Sequence, residues 1–138
     1  MSAFRDQTVA GGTNEARARL RTAEAYLRTA ELVLEEGSTQ EFSNVAAGTA
    51  VLAGIAASDS ICCSRLRKLH RGQDHRGAAR LLEEATPDGK ALAATLSRLL
   101  DVKDASHYGT ALVASGRVAD LVKWARKLVD RAQEELER

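Results

Sequence analysis

Two short stretches of this 138-residue chain hold side chains that could do chemistry. The first is Lys103, Asp104, His107 and Tyr108. If that turn is helical, Lys103 and His107 share a face. A histidine titrating near neutrality beside a cation can serve as general acid or base on a ribose hydroxyl while the lysine steadies a phosphate. The structural alternative is that His107 and Tyr108 tie down a loop by hydrogen bonds, with the tyrosine ring packed inward. The second stretch is the basic run Arg65, Arg67, Lys68, His70, Arg71, His75, Arg76 and Arg80, opposed by a single acid, Asp74. Arginine forks and the free N–H groups of a following helix could hold phosphates there. The plainer reading is a solvated helix end whose cations answer the helix dipole. No aromatic residue is interleaved, which argues against a stacking platform for single strands.

Other chemistries find little support. Cys62 and Cys63 are adjacent, so on a helix they point about 100° apart, and neither a bridge between them nor a shared metal is natural. They read as reduced core thiols, in keeping with a cytoplasmic protein. Without a Cys-x2-Cys or His-x3-His pair, no metal is expected. No Gly-rich phosphate loop after a strand and no Gly-x-Ser-x-Gly occurs, so nothing calls for a bound cofactor or for serine-hydrolase chemistry. The net charge of +1 provides no global field for nucleic acid or an anionic membrane, so any such attraction must be local.

The elements that would position these residues read as helices. Ala, Leu and Arg are abundant and there is one proline, Pro87. Ala16, Leu20, Ala23, Leu27, Ala30 and Leu34 form a stripe over a first helix from about Thr13 to Glu36. Ser38 with Glu41 forms a capping box for a second helix reaching about Lys68. That helix is uncharged from Val45 to Ser58 and rich in Ala and Gly. The run is shorter than the ~20 strongly apolar residues of a bilayer span, so it reads as a buried central helix. Asp74 caps a short third helix ending near Ala85, and Thr86-Pro87 opens a fourth to about Leu100. Residues 101 to 115 read as a polar bend. Ser115 then caps a last helix with the stripe Val118, Leu121, Val122, Ala125, Leu128, Val129, Ala132 and Leu136. Trp124 lies just off that stripe, either as an anchor for a protein partner or as a cover for the core edge. No strand pattern is seen. Residues 1–12 read as a flexible tail without a signal-peptide core, and residues 13–138 as one domain. The fold expected is all-α, an antiparallel bundle of four or five helices.

This layout, with Leu99-Leu100-Asp101-Val102-Lys103-Asp104-Ala105-Ser106-His107-Tyr108 leading into a final amphipathic helix, resembles a HEPN-type domain over nearly all the chain after Asn14. The resemblance implies a helical bundle that pairs as a homodimer. It also implies either a metal-independent ribonuclease with an Arg-x(4–6)-His motif or an inactive, nucleotide-associated partner. The sequence departs from the nuclease pattern. No arginine lies four to six residues before His107, where Lys103 is nearest, and the literal match Arg65…His70 falls at the end of helix two. The favoured expectation is therefore an interaction module without catalysis, contacting RNA or nucleotide through the basic bend. The alternatives are a toxin-like ribonuclease using His107 or His70 and a purely structural partner protein.

Overall fold

The computed structural model describes residues 7–36, 39–72, 74–107 and 115–137. These are mostly helical, with five helices and a small two-stranded sheet. In chain order they form β1 (Thr8–Ala10), α1 (Thr13–Glu36), α2 (Gln40–Leu66), β2 (Lys68–His70), α3 (His75–Ala85), α4 (Gly89–His107) and α5 (Ser115–Leu136).

α2 is the axis. It packs principally against α1 and α5, and also meets α3 and α4, while α3 and α4 pack on each other. Its buried surface is made largely of alanines, with Gly54, Val51 and Ile61. Small side chains let neighbouring backbones come close, and the neighbours supply the bulk: Leu27 from α1, Leu82 from α3, Leu92, Leu96 and Leu99 from α4, and Leu121 and Leu128 from α5. α2 carries an apolar window long enough to cross a membrane by length and composition, but 72% of that window is buried inside the bundle. The stripes on α1 and α5 face this core as expected. Leu20 and Leu34 lie at its margin, and Leu136 packs on a smaller cluster of Ala16, Cys63 and Leu69.

The helix ends differ from the sequence reading in four places. Thr39 caps α2, its hydroxyl accepting from the Phe42 N–H at 3.4 Å, whereas Ser38 lies outside the described residues. α2 stops at Leu66 rather than Lys68 because Arg67 adopts the left-handed conformation (φ 59°), where its N–H still donates to the Cys63 carbonyl. Thr86 closes α3 instead of opening α4, and Pro87 and Asp88 fill the turn between them. α4 continues through residues 101–107, expected as a bend, since that stretch contains neither glycine nor proline to stop it. Tyr108 and residues 109–114 of the expected bend lie outside the described residues, and Ser115 is already the first residue of α5.

The sheet was not anticipated. β1, within the segment expected as a tail, pairs antiparallel with β2 in the register Thr8↔His70, Val9↔Leu69, Ala10↔Lys68. The left-handed turn at Arg67 redirects the chain as α2 ends, and the extended β2 lies against β1. The Arg71 N–H donates to the Gln7 carbonyl at 2.7 Å, and the Gly11 N–H to the Arg67 carbonyl at 3.0 Å.

Two glycines on α2 set a test. A Cβ at Gly54 would stand 2.5 Å from Leu99 Cδ1 and 3.4 Å from Leu128 Cδ1, whereas one at Gly48 would meet nothing within 4 Å. Gly54→Val is expected to destabilise the fold by about 1–3 kcal/mol through overpacking. Gly48→Ala is expected to stabilise it by up to about 1 kcal/mol through helix propensity. Denaturant unfolding of the two variants checks the contrast, and equal effects would contradict this view of α2.

Candidate functional site

The basic bend is built where α2 ends and α3 begins. Arg65 is on the last turn of α2 and turns toward α5, where it is ion-paired with Glu135. Glu135 is only 5% exposed and is also held by Arg131 at 2.9 Å. Arg131 in turn grips Asp88 through two bonds of 2.9 and 3.2 Å. Burial works to raise the Glu135 pKa, but the hydrogen bonds from Arg65 and Arg131 outweigh it and hold the carboxyl below its usual range. The guanidinium of Arg131 likewise pulls Asp88 far down. Arg65 therefore belongs to a network joining α2, the α3–α4 turn and α5, beside a shallow depression lined by Arg65, Pro87, Asp88, Arg131 and Glu134.

The other bend residues go elsewhere. Arg67 reaches back to Thr13, its Nη1 donating to Oγ1 at 3.4 Å. His70, on β2, is partly buried, and its ring fills the space beside Gly77 of α3. Arg71 and Arg76 are exposed, and the Arg76 N–H donates to the capping carboxylate of Asp74 at 3.0 Å. His75 is the first residue of α3, and its side chain lies outside the described residues. Arg65 and His70, the literal Arg-x4-His match, are thus separated by the end of α2, with Arg65 paired to Glu135 and the His70 ring packed beside Gly77.

Lys103 and His107 occupy the last turns of α4; their side chains, like the whole of Tyr108, lie outside the described residues. α4 starts beside the Arg131–Asp88 pair and extends 19 residues, about 28 Å at 1.5 Å per residue. The His107 segment and the Arg65 network are therefore at opposite ends of α4. Trp124 is partly buried and packs on the core. The guanidinium carbons of Arg98 and Arg117 lie 5.7 and 5.2 Å from its ring centroid, a cation–π arrangement that covers the ring.

One constellation escaped the sequence reading. Asp59, which ends the uncharged run of α2, is 8% exposed and bound to Arg19 of α1 at 3.0 Å. Next to it Ser60 donates to the Ala16 carbonyl at 2.7 Å, a second polar tie between α1 and α2. Burial raises the Asp59 pKa to about 6, against the opposing pull of Arg19 and, more weakly, of Arg71 and His70. Arg19 Nε and His70 Nε2 are buried without a hydrogen-bond partner. Only the charge of Asp59 amid small residues hinted at this; its partner, 40 positions away, left no mark in the sequence.

Cys62 and Cys63 are free and buried. Burial, with help from Asp59, pushes their pKa values up to about 12 and about 11, so they hold their protons at neutral pH and are poor nucleophiles. Among the described residues no group of three His, Cys, Asp or Glu side chains is placed to hold a metal. No protein-family model matches the chain, and no curated protein matches it.

The raised Asp59 pKa fixes a sign. The folded state holds the Asp59 proton more tightly than the unfolded chain does, so this group's contribution to stability declines as pH rises from about 4 to about 6. With a shift from 3.8 to about 6, the decline is about 3 kcal/mol. Asp59→Asn is expected to remove that part of the pH dependence, as read by urea unfolding at pH 4.5 and 7. Parallel curves for the two proteins would refute the assignment.

Proposed function

We propose that the chain is an interaction module of the HEPN-like kind, cytoplasmic, that pairs with a second copy through the outer face of α2 and contacts RNA or nucleotide phosphate through the basic bend. The observation that carries the module reading is an apolar strip left outside the core. Phe42, Val45 and Leu52 are 49%, 53% and 42% exposed, and their spacing of three and seven puts them on one face of α2 with Gly48 and Thr49. No charge occurs from Phe42 to Ser58, so two such faces can meet without like-charge repulsion. The open space beside Gly48 leaves that face free for a two-fold, self-complementary contact.

The bend supports the second half of the reading less widely than the sequence suggests. With Arg65 and Arg67 engaged and His70 half-buried, the reading rests on Arg71 and Arg76, exposed guanidiniums next to the capped start of α3. A non-catalytic role is favoured over a ribonuclease because Arg65 is ion-paired with Glu135 while the His70 ring packs beside Gly77. RNA cleavage that persists in EDTA and disappears in His107→Ala or His70→Ala would reverse that preference. A purely structural partner protein is the reading left if neither self-association nor RNA binding is found.

Two measurements test the proposal. Sedimentation of the wild-type chain at micromolar concentration is expected to give a dimer, and Val45→Lys with Leu52→Lys a folded monomer; a wild-type monomer would sink the pairing. Fluorescence anisotropy with a short RNA at low salt is expected to show binding that weakens at least about tenfold in Arg71→Glu with Arg76→Glu, as lost phosphate contacts predict. Unchanged affinity in that variant would remove the bend from the binding surface.

A further inference from the structure

Five arginines of this chain are answered by an acid or a hydroxyl: Arg19 by Asp59, Arg65 by Glu135, Arg67 by Thr13, Arg126 by Glu31 and Arg131 by Asp88. Arg98 of α4 and Arg117 of α5 differ. Both are exposed and both lie against the Trp124 ring, yet neither makes an ion pair among the described residues. Two like charges are thus gathered on one indole. Asp101 and Asp120 are a turn away on the same helices, and neither is paired with either guanidinium. Arg117 is also in the first turn of α5, which has no acidic residue. A cation there opposes the helix dipole, which favours negative charge at that end. Two guanidiniums thus lie on one indole, 5.7 and 5.2 Å from its centroid, and the free N–H groups at the start of α5 are beside one of them.

We propose that Arg98 and Arg117, held on Trp124, form an oxyanion site that takes a phosphate group, either a phosphodiester of single-stranded RNA or the phosphate of a free nucleotide. The inference rests on the RNA-or-nucleotide reading above and adds a second contact, on the α4–α5 face, to the bend. A guanidinium matches phosphate geometry by bidentate hydrogen bonding, and each of the two can supply one such fork. An arriving phosphate draws the guanidiniums toward itself, and the electrostatic environment of the indole changes as they move.

Trp124 is the only tryptophan, so its emission reports on this site alone. The full chain is titrated at low salt with a 12-nucleotide single-stranded RNA, and separately with AMP and with inorganic pyrophosphate, following Trp124 emission and, for labelled RNA, anisotropy. A saturable emission change is expected, with RNA affinity falling at least about tenfold in Arg98→Gln with Arg117→Gln. The dependence of log affinity on log salt should flatten by about 1.4, as expected for two lost phosphate contacts on a single strand. Arg98→Lys with Arg117→Lys should keep the salt dependence but lose part of the affinity, because the charge stays while the bidentate fork and its stacking on the indole are lost. An emission response to AMP or pyrophosphate but not to RNA supports the site and assigns it to free phosphates. RNA binding that leaves emission unchanged, or that survives Arg98→Gln with Arg117→Gln and is lost in Arg71→Glu with Arg76→Glu, overturns this site while sparing the bend. If RNA, AMP and pyrophosphate all fail to bind, this site and the phosphate-binding half of the proposed function fall together, and the α2 pairing stands separately.

Discussion

How closely other helices can approach α2 governs the rest of the molecule. Its buried surface is built mostly from small side chains, alanine above all, so much of the interior volume must come from leucines and valines that the surrounding helices direct inward. Dispersion contacts fall off steeply with separation, and the close fit at Gly54, where Leu99 and Leu128 converge, exists only because no side chain intervenes. The glycine weakens the helix locally, and the packing around it more than compensates. The same economy of side-chain size explains why the N-terminal half of α2 can present an apolar outer face while its inner face stays buried.

Polar ties then fix how the helices are stacked around that axis. Asp59–Arg19 and Ser60–Ala16 join α1 to α2 near one end. Arg65, Glu135, Arg131 and Asp88 join α2, α5 and the α3–α4 turn close by. Farther along, Gln133–Glu24 and Arg126–Glu31 link α5 to α1. The carboxylates of the first two groups respond to burial in opposite directions. Glu135 meets two arginines and stays readily ionised, whereas Asp59 meets one and is pushed toward neutrality. The difference lies in how many donors answer each buried charge.

Much of the helical layout was legible because amphipathic stripes are local and periodic. The stripes on α1 and α5 and the cap at Asp74 correspond to the structure nearly residue for residue. What escaped was non-local or too short to have a period. Three residues, Thr8 to Ala10, carry no alternation worth reading, and their partner strand is some 60 positions away. Polarity and Gly109 suggest a bend over residues 101–115, but α4 runs on to His107 because polarity does not end a helix where no breaker is present. For the candidate site, composition located the basic bend. It could not tell that Arg65 and Arg67 are engaged elsewhere, nor that Arg98 and Arg117 meet on one indole, because both facts depend on which helices become neighbours.

The β1–β2 ribbon has a kinetic consequence. Its three residue pairs join positions about 60 apart, so it must close a long loop for a few hydrogen bonds, and a two-stranded ribbon is barely stable alone. It can form only once α1 and α2 have docked and brought Gln7 alongside Arg71. In the native state it is correspondingly the piece that can detach while the helices remain packed. Its amides would then exchange with solvent through local opening, and His70, whose ring packs beside Gly77, would be uncovered without the bundle unfolding.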